Sequence, residues 1–176
     1  MRTALLIAMG MALASPAAAA AVNARPGGFE VREQAQIAAP PTRVYAAIGQ
    51  IGQWWLSEHT YSGDAKNLSL DLKAGGCFCE RLPDGGSARH MGVILVQPNK
   101  TVRLEGALGP LATTGGIGHL TFALSPKDAG TSVVLTYDFG GYASGGMDRW
   151  AAPVDGVLGE QLDSLKRYVE SGRGAP

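Results

Sequence analysis

The sequence predicts an α+β fold, in which an antiparallel sheet of about seven strands packs against one long C-terminal helix. Two observations support this prediction. Seven segments have strand-like patterns: most alternate apolar and polar residues, which is typical of strands with one solvated face, and residues 88–97 are apolar on both sides, as in a central strand. From Met147 onward the apolar residues instead follow helical spacing. This helix is the only predicted element large enough to cover the sheet, so we expect a cavity between the two.

The first predicted strand covers residues 29–38 and places Phe29, Val31, Ala35 and Ile37 on one face. A helix opened by prolines follows, and glycines divide it into two short pieces that end at a tryptophan pair. Six further strand-like runs are residues 67–72, 77–82, 88–97, 101–106, 116–125 and 131–139. In the C-terminal helix, Pro153 marks either the first turn or a kink.

Residues 1–21 have the features of a secretory signal peptide. Arg2 supplies a positive start, residues 5–14 are apolar but too few to span a bilayer, and small residues follow at the spacing that a signal peptidase needs. We expect cleavage near Ala21, with Ala24 as a second candidate, and export to the periplasm or the cell exterior. An N-terminal membrane anchor is the alternative. Residues 22–28 would then form a linker, and residues 29–172 the domain.

The composition limits the kinds of partner that we expect. The chain of 176 residues carries 15 basic and 15 acidic side chains, and 45% of its residues are hydrophobic. A neutral chain without a basic run lacks the electrostatic footprint of a nucleic-acid-binding protein. We expect a single-domain monomer with no membrane span after signal cleavage.

Cys77 and Cys79 are the two cysteines of the chain. In a regular strand, Cβ atoms two residues apart lie about 6.7 Å from each other, whereas a disulfide needs about 3.5–4.5 Å. We therefore expect two free thiols unless a bulge lies there. A four-residue loop before them would turn the cysteines inward, and a three-residue loop would place Phe78 opposite Leu70 and turn them outward. We favour inward packing over a metal site with His90 or a redox pair.

Four stretches of the chain carry a family resemblance: IAAPPTRVYAAIGQIGQWW, KAGGCFCE, HMGVILVQPNKTVRLEG and VDGVLGEQLDSLKRYVE. With the order of elements, they resemble the helix-grip fold of the START-like or SRPBCC superfamily from Phe29 to Glu170. Within this superfamily, the chain looks closest to the branch of homologues of a chaperone-ATPase activator. The polyketide cyclase and dehydrase branch is the second in similarity. The resemblance implies a curved sheet wrapped around the C-terminal helix. It also implies a cavity that binds a lipophilic small molecule.

The side chains that the resemblance places around this cavity are mainly aromatic, and a role in the core is the alternative for each. They are Trp54, Trp55, His59, Tyr61, Cys77, Cys79, His90, Phe122, Tyr137, Trp150 and Val154. We expect no catalytic set, metal or cofactor, because the sequence contains none of the corresponding motifs.

Two other functions remain open. An enzyme of the cyclase or dehydratase kind would use His90, Tyr137 or Glu80 as acid or base. A partner-binding module, as in the chaperone-activator branch, would need no such group. His119 shares its predicted face with polar and small residues, so we expect it on the outer side of the sheet.

Overall fold

The computed structural model describes residues 21–173. In chain order, the elements are β1 (Ala21–Arg25), β2 (Gly28–Ile37), α1 (Pro41–Gly49), β3 (Leu68–Leu70), β4 (Cys77–Arg81), β5 (Ser87–Gln97), β6 (Thr101–Gly106), β7 (Gly115–Lys127), β8 (Gly130–Tyr142) and α2 (Ala151–Ser171). The strands form one antiparallel sheet in the order β1-β2-β8-β7-β6-β5-β4-β3. The predicted α+β fold, a curved sheet around a long C-terminal helix, is confirmed.

Helix α2 contacts the inner face of the sheet through one apolar stripe. Leu158, Leu162, Leu165 and Val169 are buried, and their spacing of four, three and four residues keeps them on one side of the helix. Burying each such side chain contributes roughly 1.5–3 kcal/mol. Pro153 lies in the first turn of α2, where its missing N–H breaks no helical hydrogen bond.

The predicted linker, residues 22–28, is wrong over most of its length. Residues Ala21–Arg25 form β1, which pairs antiparallel with β2 through a turn at Pro26 and Gly27. The outer edge of β2 offers unpaired backbone groups, and the Pro-Gly turn lets the preceding residues fold back onto them. The sheet therefore has eight strands instead of about seven.

The predicted signal peptide lies outside the described residues except for Ala21. Within residues 21–173, no helix has the length and apolar character needed to cross a bilayer.

Candidate functional site

A cavity of about 360 Å³ lies between the sheet and the first turns of α2. Two short 3₁₀ turns close it, Ser57–His59 and Gly109–Thr113. Its wall is mostly apolar, with Pro153, Val154, Val157 and Leu158 of α2 on one side and Phe78 of β4 on the other. Six of the predicted site residues line this cavity: Trp55, His59, Tyr61, His90, Trp150 and Val154.

A β-bulge in β5 turns His90 toward the cavity. Phe78 pairs with Met91 and the next residue, Cys79, pairs with Arg89, so His90 is the extra residue on β5. Regular alternation from Met91 would place His90 on the outer face, but the bulge allows both side chains to be buried. Bulges of this kind often redirect a side chain next to a functional site.

His90 forms a buried hydrogen bond with Glu80. The distance from Nε2 of His90 to Oε2 of Glu80 is 2.8 Å, and the two side chains are 6% and 0% exposed. The carboxylate of Glu80 also accepts hydrogen bonds from the backbone N–H groups of Tyr61, at 3.1 Å, and of Ser62. A buried charge is tolerated when it is paired and hydrogen-bonded in this way.

These contacts favour the ionised form of Glu80. Burial by itself raises the pKa of this carboxyl, but hydrogen bonds from Ser62, Tyr61 and His90 outweigh it and hold the pKa below its ordinary value. A carboxylate is only an acceptor, so Nε2 of His90 carries the proton of this bond. The lone pair of a neutral His90 ring is then on Nδ1. Nδ1 forms no hydrogen bond with any residue between 21 and 173. It is not fully buried either, so it remains accessible to a small molecule.

Two aromatic rings pack against the imidazole of His90. The ring of Tyr61 stacks on His90 with centroids 5.2 Å apart and planes 10° apart, and Phe78 lies at 4.8 Å. The hydroxyl of Tyr61 donates a 2.8 Å hydrogen bond to the carbonyl oxygen of Gly109. Tyr61 therefore connects the two loops that close the cavity.

Three predicted site residues belong to the core instead. Trp54 is buried, donates a 2.8 Å hydrogen bond from Nε1 to the Ala47 carbonyl, and packs edge-on against Phe122. Tyr137 is buried between β2 and β7, and its hydroxyl donates to the Gly106 carbonyl at 3.3 Å. Burial raises the pKa of Tyr137. This tyrosine anchors the chain that leads to the Gly109–Thr113 turn, and it lies outside the cavity wall.

The cysteine predictions are wrong in both respects. Cys77 and Cys79 form a disulfide, and their Cα atoms are 5.4 Å apart, closer than in a regular strand. The pairing of β4 with β5 is irregular between Phe78 and Cys79, but the additional residue lies on β5 and not between the two cysteines. Leu70 pairs with Phe78, so the three-residue alternative applies and the cysteines point away from the cavity.

Sequence reasoning named Glu80 only as a possible acid or base and did not place it in the site. A signal was available, because Glu80 shares the inward face of β4 with Phe78. The same signal marks Glu33, which follows Phe29 and Val31 on the inner face of β2. A charged residue on an otherwise apolar face needs a specific partner.

At the mouth of the cavity, Glu58, His59 and Glu160 place their potential metal-ligand atoms within 4.8 Å of one another. Nε2 of His59 lies 3.3 Å from Glu160 and 3.8 Å from Glu58. Both carboxylates are largely exposed, so this set is an ion-pair cluster at the surface. The side chain of His119 is 44% exposed on the outer face, and its Nε2 lies 3.4 Å from Oε2 of Glu105.

Known structures share this architecture. A conserved protein of unknown function, EF2215 from Enterococcus faecalis, is similar with a TM-score of 0.63 and 16% identity over 90% of this chain and 81% of that one. CalU16 from Micromonospora echinospora is similar with a TM-score of 0.58 and 14% identity over 87% of this chain and 86% of that one. The Aha1 dimer from Colwellia psychrerythraea is similar with a TM-score of 0.56 and 22% identity over 82% of this chain and 98% of that one. Such identities support the fold alone. No curated protein matches the sequence.

One family model matches residues 28–170, which include all the strands except β1 and nearly all of α2. Its description is polyketide cyclase / dehydrase and lipid transport. The resemblance to the START-like or SRPBCC superfamily is therefore confirmed, and the chain belongs to the polyketide cyclase / dehydrase and lipid transport family.

Proposed function

We propose that this chain is an exported, monomeric protein that binds a lipophilic small molecule in the cavity between the sheet and α2. The observation that supports this function best is the cavity itself, about 360 Å³ with a mostly apolar wall. A largely apolar pocket with a few polar groups is the usual form of a small-molecule site. The family description, which includes lipid transport, agrees with a ligand of this class.

Two buried polar groups belong to residues of the cavity wall. His90 is paired with Glu80, and the indole Nε1 of Trp150 is buried with no hydrogen-bond partner among residues 21–173. Such groups fix the orientation of a ligand whose remaining surface is apolar.

A neutral fluorescent lipophile, N-phenyl-1-naphthylamine, tests the proposal. Its emission rises in apolar surroundings, so titration into the mature protein should give a saturable curve with one site per chain. The substitution Val157→Trp fills the cavity from α2 and should weaken binding at least about tenfold, because roughly 1.4 kcal/mol corresponds to each factor of ten.

The matched control is Ala152→Trp, which adds the same side chain to an exposed position of α2 outside the cavity wall. It should bind the fluorophore as the wild type does. Equal weakening by both substitutions, or no saturable binding by the folded wild type, would contradict the proposed function. If the wild type does bind the fluorophore, native mass spectrometry of the protein from its export compartment would identify a natural ligand by its mass.

The cyclase or dehydratase alternative is favoured by one specific observation: His90 lines the cavity, and the buried carboxylate of Glu80 lies 2.8 Å behind it. The partner-binding module has no comparable feature within residues 21–173. A stable complex with another protein of the cell envelope that survives Trp150→Ala would favour that module.

A further inference from the structure

The Glu80–His90 pair joins a buried carboxylate to an imidazole that lines the cavity. Glu80 is held by two backbone N–H groups, and it holds Nε2 of His90 at 2.8 Å. The opposite ring nitrogen, Nδ1, has no hydrogen-bond partner in the described residues, and His90 lines the cavity. We infer that His90 takes a proton through Nδ1 from the molecule bound in the cavity and that Glu80 positions the imidazole for this step. The inference rests on the function proposed above.

The geometry is that of an oriented general base. In such a pair, the carboxylate fixes the ring and its tautomer and stabilises the imidazolium that forms. The stacked Tyr61 and the adjacent Phe78 pack against the ring and restrict its rotation. General bases placed in this way contribute about 10²–10⁴-fold to a rate.

The apolar wall limits the substrate class. It suits a neutral, largely apolar molecule with a weakly acidic C–H or O–H group. The proton moves to Nδ1, and its former electron pair stays on the substrate as an anion or forms a new π bond as a leaving group departs. His90 then returns the proton to the product or to water, so the step needs no oxidant, reductant or cofactor.

The probe 5-nitrobenzisoxazole tests this step without knowledge of the natural substrate. A base removes its single ring C–H proton, the electron pair forms a nitrile, and the N–O bond breaks to give a coloured phenolate. We expect the wild type to accelerate this reaction with saturation kinetics. N-phenyl-1-naphthylamine should inhibit it competitively, because both molecules would occupy the cavity.

Substitutions separate the two roles. His90→Phe should lower kcat/KM at least about 100-fold, the low end of the general-base contribution, while the variant still binds the fluorophore. Should that variant not fold, His90→Gln keeps a polar side chain at the bulge and should show the same loss. Glu80→Gln should lower kcat and kcat/KM by the same factor with KM unchanged, as expected for a residue that acts only in the transition state.

The matched control is His119→Phe, which removes the histidine of the exposed Glu105–His119 pair on the outer face and should leave the rate unchanged. A folded His90 variant whose kcat/KM falls by less than about 100-fold, the low end of the general-base contribution, would overturn the inference. A larger loss of rate in His59→Ala than in the His90 variant would also overturn the inference, because the base would then be His59 at the mouth of the cavity. A wild type that binds the fluorophore without accelerating the reaction would refute the base and leave the proposed function intact. A wild type that does neither would refute both.

Discussion

At the scale of single residues, the chemistry of the site depends on one additional residue in a strand. Met91 and Val93 are buried, so regular alternation would turn His90 outward. The bulge instead points it at Glu80. Without His90, the buried carboxylate of Glu80 would keep only its hydrogen bonds from the backbone of Tyr61 and Ser62, and its burial would be less well compensated. The pair therefore both stabilises the strand contact and supplies the polar group of the cavity.

The disulfide between Cys77 and Cys79 leads to a prediction at this scale. Its closed loop is very short, and the loop-entropy relation gives roughly 1–2 kcal/mol for such a crosslink. The double substitution Cys77→Ser/Cys79→Ser should therefore lower the free energy of unfolding by no more than that amount in urea. Binding of the fluorophore should not change, because neither cysteine lines the cavity.

The thiol state can be measured independently. The mature wild type should show no titratable thiol before reduction and two after it, with a gain of two hydrogens in mass. Two free thiols in the protein taken from its export compartment would contradict the crosslink.

The two adjacent tryptophans, Trp54 and Trp55, show why the sequence could not place every site residue. Both are apolar, aromatic and next to each other, yet Trp54 packs against Phe122 in the core while Trp55 lines the cavity. Their directions are set by the turn at Ile51–Gln53 and by packing against β7 and α2, which no local pattern contains. The bulge at His90 is likewise a property of the pairing between two strands.

At the scale of elements, the first half of α2 has two different faces. Val154, Val157 and Leu158 face the cavity. Another side of the helix approaches Glu33 of β2, whose carboxyl lies against Gly159. The side chain of Asp155 is close to the same carboxyl, and it can accept a hydrogen bond from Glu33 when Glu33 is protonated. Burial, the adjacent Asp155 and the more distant Asp163 raise the pKa of Glu33 to about 7.

This raised pKa predicts how stability changes with pH. The folded state binds the proton of Glu33 more tightly than the unfolded state, whose pKa is near the ordinary 4.5. The corresponding stabilisation is complete below about pH 4.5 and is lost as the pH rises through 7. Glu33→Gln has no such proton to lose. We therefore expect its free energy of unfolding to exceed that of the wild type by a margin that grows from pH 5 to pH 8.

Urea unfolding at several pH values measures this margin. Glu30→Gln, on the opposite face of the same strand, is the matched control and should follow the wild type. A margin for Glu33→Gln that stays constant with pH would show that Glu33 titrates normally in the folded chain.

At the scale of the whole molecule, the order of elements was predictable because each strand carries its own alternation and α2 its own helical stripe. The strand β1 escaped prediction because residues 21–25 have too little pattern of their own. They adopt an extended conformation by pairing with an edge that only the folded sheet provides.

This strand links the proposed export to the fold. Cleavage after Ala21 would keep nearly all of β1, whereas cleavage after Ala24 would remove all of it except Arg25. The turn that follows is fixed separately, since the carbonyl of Pro26 accepts a 2.9 Å hydrogen bond from Met147 N–H. We therefore expect the exported protein to begin at Val22, as read by its intact mass.

Two purified chains test the contribution of β1, one starting at Val22 and the other at Pro26. The longer chain should be a monomer by light scattering. The shorter one loses a few ladder hydrogen bonds of about 0.5–1.5 kcal/mol each, so its free energy of unfolding should fall by a few kcal/mol. It also exposes the edge of β2, which favours pairing between chains, and its apparent mass should increase with concentration. Identical stability and mass for the two chains would mean that β1 neither stabilises the sheet nor protects its edge.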